Sequence, residues 1–276
     1  MEASYIAHLN SRYDGVDYIR IQQKESSISN GGNQNWWSQR TLTKRGLNYK
    51  DFQRDQNYRL WKLGCGVIAM CDAEIFLIQA GTGSPSKDMS HSGIVYDPNT
   101  GMVQDNDYMA FIERKMKTYP IPGDLLHYIT GLMPFRMRSG LKSFLKANRY
   151  QNVSVQWAPH RLCGKARKKS LTLADIERML QDNLPVVFSY YSFDKGRKIV
   201  LYSSLERAVN RDAQDPHRTV INSHYMTIIG LYRYSAHHSS EDKYILKVVS
   251  WGNIYYIRYD EYGDSLSFFS NILKIR

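Results

Sequence analysis

Two residues far apart in the chain have the surroundings that nucleophilic chemistry needs. Cys65 lies in Gly64-Cys65-Gly66, at the head of a run to Ala80 in which only Asp72, Glu74 and Gln79 are polar. A helix that is apolar all round belongs in the middle of a domain, and Gly81 and Gly83 supply its stop. The pattern predicts a cysteine at the N-terminus of a buried helix. Unpaired N–H groups and partial positive charge at that end favour thiolate, and the same N–H groups can hold an oxyanion. The flanking glycines would allow a tight turn and close approach of a substrate. The alternative is a small buried hydrophobe, the better reading for Cys71. His224 opens the strand-like run Tyr225 to Gly230. A histidine at a strand edge can face a cleft while the strand holds it rigid, so it is the candidate base. His160 and Cys163 have loose metal spacing, but no second pair completes four ligands; no metal and no cofactor is expected.

The elements that would position this pair follow from the pattern around it. Residues 1–56 are polar and aromatic and read as an N-terminal extension packed on a main domain of residues 57–276. Within the extension, residues 18–21 alternate like a strand, 27–35 form a loop, and Trp36-Trp37 anchors to the core or to a partner. After the central helix come a loop at 81–88, a turn at 97–101, helices at 106–117, 123–130 and 139–148, and a strand at 152–157. Thr172 caps a helix, and residues 185–191 read as a core strand. Residues 194–222 are charged and irregular, a long insertion or lid. Strands follow at 224–234, 244–251 and 254–259, then an apolar segment at 266–273. Helices first and antiparallel strands later predict an α+β domain.

Composition narrows the function classes. The chain of 276 residues, 42% hydrophobic, suffices for one large domain. Its net charge of +11 suits an anionic partner, but the basic residues are scattered and no nucleic-acid motif is present, so nucleic acid is not the expected partner. The densest cluster, 165–169, reads as a solvated loop. No apolar run is long enough to span a membrane. The start lacks a basic region followed by an apolar one, and the cysteines number three; both predict a reducing cytoplasm. The 21 tyrosines suggest an aromatic-lined cleft.

Four segments in order resemble the papain-like cysteine peptidases, most closely the bacterial branch of double-glycine leader peptidases. Gly64-Cys65-Gly66 opening a buried helix is similar to the nucleophile segment. The helix and strand of residues 171–189 fit the next elements. His224-Tyr225-Met226-Thr227-Ile228-Ile229-Gly230 is similar to the histidine strand, about 160 residues after Cys65. Lys247-Val248-Val249-Ser250-Trp251-Gly252 is similar to the strand that ends in Asn-Ser-Trp-Gly or Asp-Pro-Trp-Gly. The resemblance implies a papain-like fold over residues 57–262, with the central helix packed on a C-terminal antiparallel sheet. It implies a thiol hydrolase, a cysteine peptidase or amidase, acting on a peptide or protein substrate through Cys65 and His224.

Two departures qualify that expectation. The residue that orients the histidine falls on Val249, which has no hydrogen-bonding side chain; Ser250 or Asn253 could substitute. Strand 244–251 has no Gly or Pro to mark a bulge, so alternation turns Val249 towards His224 and Ser250 away, unless the register shifts by one. The oxyanion glutamine, expected six residues before the cysteine, falls on Arg59; Gln56 or Asn57 could serve, as could the Arg59 charge. These departures keep a second reading open, a binding or scaffold protein on the same fold, and acyl transfer stands beside hydrolysis. The sequence is silent on oligomeric state.

Overall fold

The apolar run that begins at Cys65 is a helix because every face of it finds a partner. In a computed structural model of the chain, the residues described are 13–20, 31–38, 55–79, 105–121, 132, 134–148, 150, 154–159, 161–162, 165–166, 169–191, 198–236, 242–263 and 271–276. Helix α1 (Gln56–Leu63) leads into α2 (Cys65–Gln79), and residues 66–77 of α2 are all buried. The break between them is Gly64, where a Cβ would lie 2.2 Å from the Leu60 carbonyl oxygen. A side chain there would force the two helices apart. The Gly64 carbonyl accepts the Ile68 N–H at 2.9 Å, so α2 starts at the cysteine. Helices α3 (Asp105–Lys115) and α4 (Pro134–Ala147) cover one side of α2. Pro134 suits the first position of α4, which begins earlier than its apolar pattern predicts. The buried Glu74 of α2 is satisfied by Lys115 Nζ at 2.7 Å and the Tyr119 hydroxyl at 2.5 Å.

The other side of α2 faces the sheet. The remaining strands are β1 (Tyr13–Arg20), β2 (Val155–Pro159), β3 (Arg161–Leu162), β4 (Lys165–Ala166), β5 (Val186–Tyr191), β6 (Ile199–Leu201), β7 (Thr219–Ile221), β8 (Ser223–Ala236), β9 (Asp242–Ser250), β10 (Asn253–Arg258) and β11 (Asn271–Ile275). Among the described residues the main sheet has seven strands in the order β10-β9-β8-β5-β11-β2, with β1 also on β8, and every pairing is antiparallel. The α+β class expected from the sequence is what the chain forms. Strand β8 is long enough to be shared: residues 223–228 pair with β5 and 230–236 with β1. It also touches α2, and the Thr227 hydroxyl donates to the Ala69 carbonyl at 2.9 Å. Helix α5 (Lys169–Gln181) packs along β1, β5, β8 and β11, and a buried Lys274–Asp175 pair at 2.7 Å ties β11 to it.

Several expectations are corrected. Thr172 lies inside α5, buried, because the helix starts at Lys169. Of the basic cluster at 165–169, the described residues are not loop: Lys165 and Ala166 form β4, paired antiparallel with β3, and Lys169 opens α5. Residues 198–222 are not an irregular lid. They form β6, α6 (Leu205–Asn210) and β7, and Tyr202 bridges to Tyr256 on β10. Arg258 fixes α6 by donating to the Ala208 and Val209 carbonyls at 3.2 Å, and the carboxylate of Asp260 in α7 (Tyr259–Gly263) accepts from it at 3.1 Å. Trp37 joins the core. The loop at 81–88, the turn at 97–101, the helix at 123–130, His160 and Cys163 lie outside the described residues. Among the described residues no helix is long and apolar enough to cross a membrane.

The seating of α4 gives a test whose sign opposes local propensity. A Cβ on Gly140 would fall 2.1 Å from the Tyr119 ring, which is fully buried and bonded to Glu74. Gly→Ala inside a helix ordinarily gains up to about 1 kcal/mol. Here overpacking wins, and Gly140→Ala should lower urea-unfolding stability by about 1–3 kcal/mol. A stabilised variant would show that Tyr119 does not hold this position.

Candidate active site

Cys65 is half-buried at the first position of α2, where the backbone N–H groups of Tyr225 on β8, of Gly66 and of Cys65 itself act on its sulfur. Those donors favour thiolate, as does the helix terminus. Burial outweighs them and pushes the thiol above its ordinary value. The expectation of a depressed cysteine pKa is therefore corrected: the resting group is the neutral thiol. Gly66 also serves packing, since a Cβ there would lie 2.7 Å from Leu132. Cys71 is fully buried in the core, as expected.

His224 is buried at the start of β8, and its Nε2 lies 2.6 Å from Ser250 Oγ. This overturns the expectation that Val249 faces the ring. The cause is a bulge in β8, the partner strand. Thr227 pairs with Val249 and Ile228 with Val248, but Gly230 pairs with Lys247, leaving Ile229 as the extra residue. Extending the Gly230 register would put His224 on the face of Val249; the bulge shifts it to the face of Ser250. Serine carries no charge to support an imidazolium, and burial lowers the His224 pKa to about 3. The ring is neutral at rest.

A two-residue turn closes the site over the histidine. Trp251 and Gly252 have φ of 48° and 72°, the left-handed pair of a type I′ hairpin between β9 and β10. A non-glycine residue there costs about 1–2 kcal/mol. Trp251 recovers this by stacking on the His224 ring at 4.1 Å between centroids and by donating Nε1–H to Gln34 Oε1 at 3.0 Å. Gln34 in turn donates from Nε2 to the Trp61 carbonyl at 2.6 Å. It belongs to a strap, residues 31–38, laid across the site. Gly32 accepts the Gly252 N–H at 3.1 Å and donates to the buried Asp72 Oδ1 at 2.9 Å, and Trp37 Nε1–H donates to Glu113 at 2.8 Å. The Tyr108 hydroxyl also donates to Asp72. Burial raises Asp72 to about 7 despite both bonds.

The structure brings Cys65, His224 and Ser250 together and leaves Asn57 out. Asn57 sits in the first turn of α1, its N–H accepted by the Asp55 cap at 2.8 Å. Eight residues of mostly helical chain, roughly 12 Å, separate it from Cys65. Arg59 and Gln56 also lie off the cleft wall. Gln34 stands there instead, a residue that sequence spacing missed; its only local signal was the anchor Trp36-Trp37 beside it. Cys65, Gln34, His224 and Trp251 share an open cleft of about 570 Å³. A narrow extension of about 10 Å³ reaches Asp72 and Ser250, space for about one water. In comparisons with known proteins, no family model matches the chain and no curated protein matches it.

Asp72 and His224 make opposed contributions to stability. Between about pH 4 and 7 folded Asp72 keeps a proton that the unfolded chain loses, so its contribution is full at low pH and declines as pH rises to about 7. Between about pH 3 and 6.5 folded His224 refuses a proton that the unfolded chain takes, so its contribution declines as pH falls. The two slopes cancel between about pH 4 and 6.5. Relative to the parent, Asp72→Asn should gain stability with rising pH across that window, and His224→Gln should lose it. Each full swing is roughly 4 kcal/mol. Denaturant unfolding at five pH values reads the slopes; two variants that parallel the parent would reject these protonation states.

Proposed function

We propose that the protein is a thiol hydrolase, a cysteine peptidase or amidase on a papain-like scaffold, with a peptide or other amide as substrate. The observation that carries this reading is that Cys65 and His224 line one cleft while Ser250 occupies the far nitrogen of the imidazole. With Nε2–H donated to Ser250 Oγ, Nδ1 is the basic nitrogen left for the thiol. The sulfur attacks the carbonyl as its proton passes to Nδ1. The imidazolium then protonates the leaving amine, and water hydrolyses the thioester by the reverse transfer.

Both ionisations are disfavoured in the empty site, so the ion pair is not preformed. A thiolate and an imidazolium at contact regain about 4 kcal/mol at an effective dielectric of 20. Proton transfer therefore accompanies attack on bound substrate. The developing oxyanion is held by the Cys65 N–H and by Gln34, whose Nε2 has a second hydrogen beyond the one given to Trp61. Gln34 thus takes the place expected six residues before the cysteine. The cytoplasmic location read from cysteine usage belongs to the same proposal.

A second reading, a binding protein that keeps the cleft without turnover, is favoured by one observation: burial holds thiol and imidazole neutral, and among the described residues a serine rather than a carboxylate is bonded to the ring. Incubating a peptide library with the protein and with Cys65→Ala, read by mass spectrometry, separates the two. Cleavage should vanish in Cys65→Ala and fall about 10²–10³-fold in Gln34→Ala. Ser250→Ala should slow iodoacetamide alkylation of Cys65, and Val249→Asn should not speed it. The alkylation rate should climb steadily through alkaline pH. An inert Cys65 with retained peptide binding gives the scaffold reading, and a rate plateau from acid pH means a preformed ion pair.

A further inference from the structure

The charge on the cleft wall is one-sided. Among the described residues lining it, Lys62 carries a formal charge and no aspartate or glutamate is present. Lys62 lies in the last turn of α1, three residues before Cys65, and its ammonium sits 3.6 Å from the centroid of the Trp61 ring. That ring is itself met edge-on by Tyr58, with centroids 6.2 Å apart. A cation over an indole face is attracted by the ring quadrupole, so the ammonium is held at the cleft. No described carboxylate pairs with Lys62. The rest of the wall adds side-chain amides, Asn33, Asn35 and Asn253, which can donate to an anion.

A lysine in the last turn of a helix has an ordinary use against the helix dipole. That use does not require the ammonium to lie on the wall of the cleft that holds the cysteine, nor the wall to lack acidic groups. A cationic substrate would be repelled here, and a neutral one would leave the charge unused.

We infer that the substrate carries a carboxylate close to the bond attacked, and that Lys62 is the residue that selects it. The inference rests on the thiol-hydrolase reading and names its substrate class. Carboxylate fits better than phosphate, because a single ammonium with planar amides offers one charge and flat donors, without the arginine fork that suits phosphate. The carboxylate can be a chain terminus or an acidic side chain, and the net charge of +11 steers either towards the protein.

The test uses thiol alkylators on the full chain. Chloroacetyl-glycine presents a terminal carboxylate, chloroacetyl-glutamic α-amide a side-chain carboxylate, and chloroacetyl-glycinamide neither. In each, sulfur forms a bond to carbon as the carbon–chlorine bond breaks, chloride leaves, and the thiol proton passes to the histidine or buffer. Rates at Cys65 are divided by those of free cysteine at the same pH. We expect one carboxylate reagent to react about fivefold faster than the amide, the scale of an exposed ion pair, and the faster one identifies the source. The ratio should fall towards one in Lys62→Met, fall below one in Lys62→Glu, and shrink in the parent as salt is raised. A ratio of one in the parent, or a ratio unchanged in both variants, overturns the inference and leaves the thiol reading intact. A Cys65 that reacts with none of these reagents nor with iodoacetamide removes the thiol reading and the inference together.

Discussion

Desolvation by the packing around α2 governs the chemistry of this protein. The helix is closed in by α3, α4 and three strands, and the titratable groups that touch it are driven to their neutral forms. Cys65, Cys71 and Tyr119 have raised pKa values, Asp72 is lifted to about 7, and His224 is lowered to about 3. Glu74 is the contrast. It has a lysine at 2.7 Å, and that lysine lies 5.2 Å from the ring centroids of Phe111 and Phe144. That carboxyl group is fully buried, while its lysine is only partly so and brings a countercharge in from the surface. The cysteine has no such partner, so the helix N-terminus, which alone would favour thiolate, loses to burial.

The same packing explains why the first residues of the chain matter. Strand β1 completes the edge of β8, and the strap at 31–38 connects α2 to the histidine through a short series of bonds. Asp72 holds Gly32, Gly32 holds Gly252, and the turn so fixed lays Trp251 against His224. Gln34 bridges that indole and the end of α1. One wall of the cleft is therefore built from residues 33–35. The segment read from sequence as an extension supplies part of the site rather than a cover for it.

What the sequence made legible was periodic or local. The all-round apolar helix, the cysteine at its head, the histidine at a strand edge and the three C-terminal strands follow from patterns within ten or fifteen residues. Ser250 was ambiguous because its orientation is decided in another strand. Nothing in residues 244–251 marks the shift; Ile229 does, next to Gly230, where a Cβ would lie 2.9 Å from the Tyr18 ring. A glycine in a strand interior is a bulge signal, but it had to be read on β8 rather than β9. Gln34 was invisible because spacing rules search near the nucleophile, and this amide arrives from a separate stretch of chain. The order of residues 198–222 was equally hidden, since Arg258 and Tyr256, far along the chain, impose it.

The neutral resting site and the serine beside the histidine belong together. A carboxylate at position 250 would stabilise the imidazolium, but it would place a second buried anion on the narrow space that Asp72 also lines. Burial already lifts Asp72 to about 7, and two such carboxylates would raise each other's pKa and share a proton. Serine avoids that conflict: its hydroxyl fixes the ring without adding charge. The consequence is that charge can separate between Cys65 and His224 only when something entering the cleft stabilises it. In the proposed hydrolase, an acyl group that brings its carbonyl to the Cys65 N–H and Gln34 would supply that stabilisation, and an anion at Lys62 would position it. Selectivity and activation would then come from one event, the filling of the cleft.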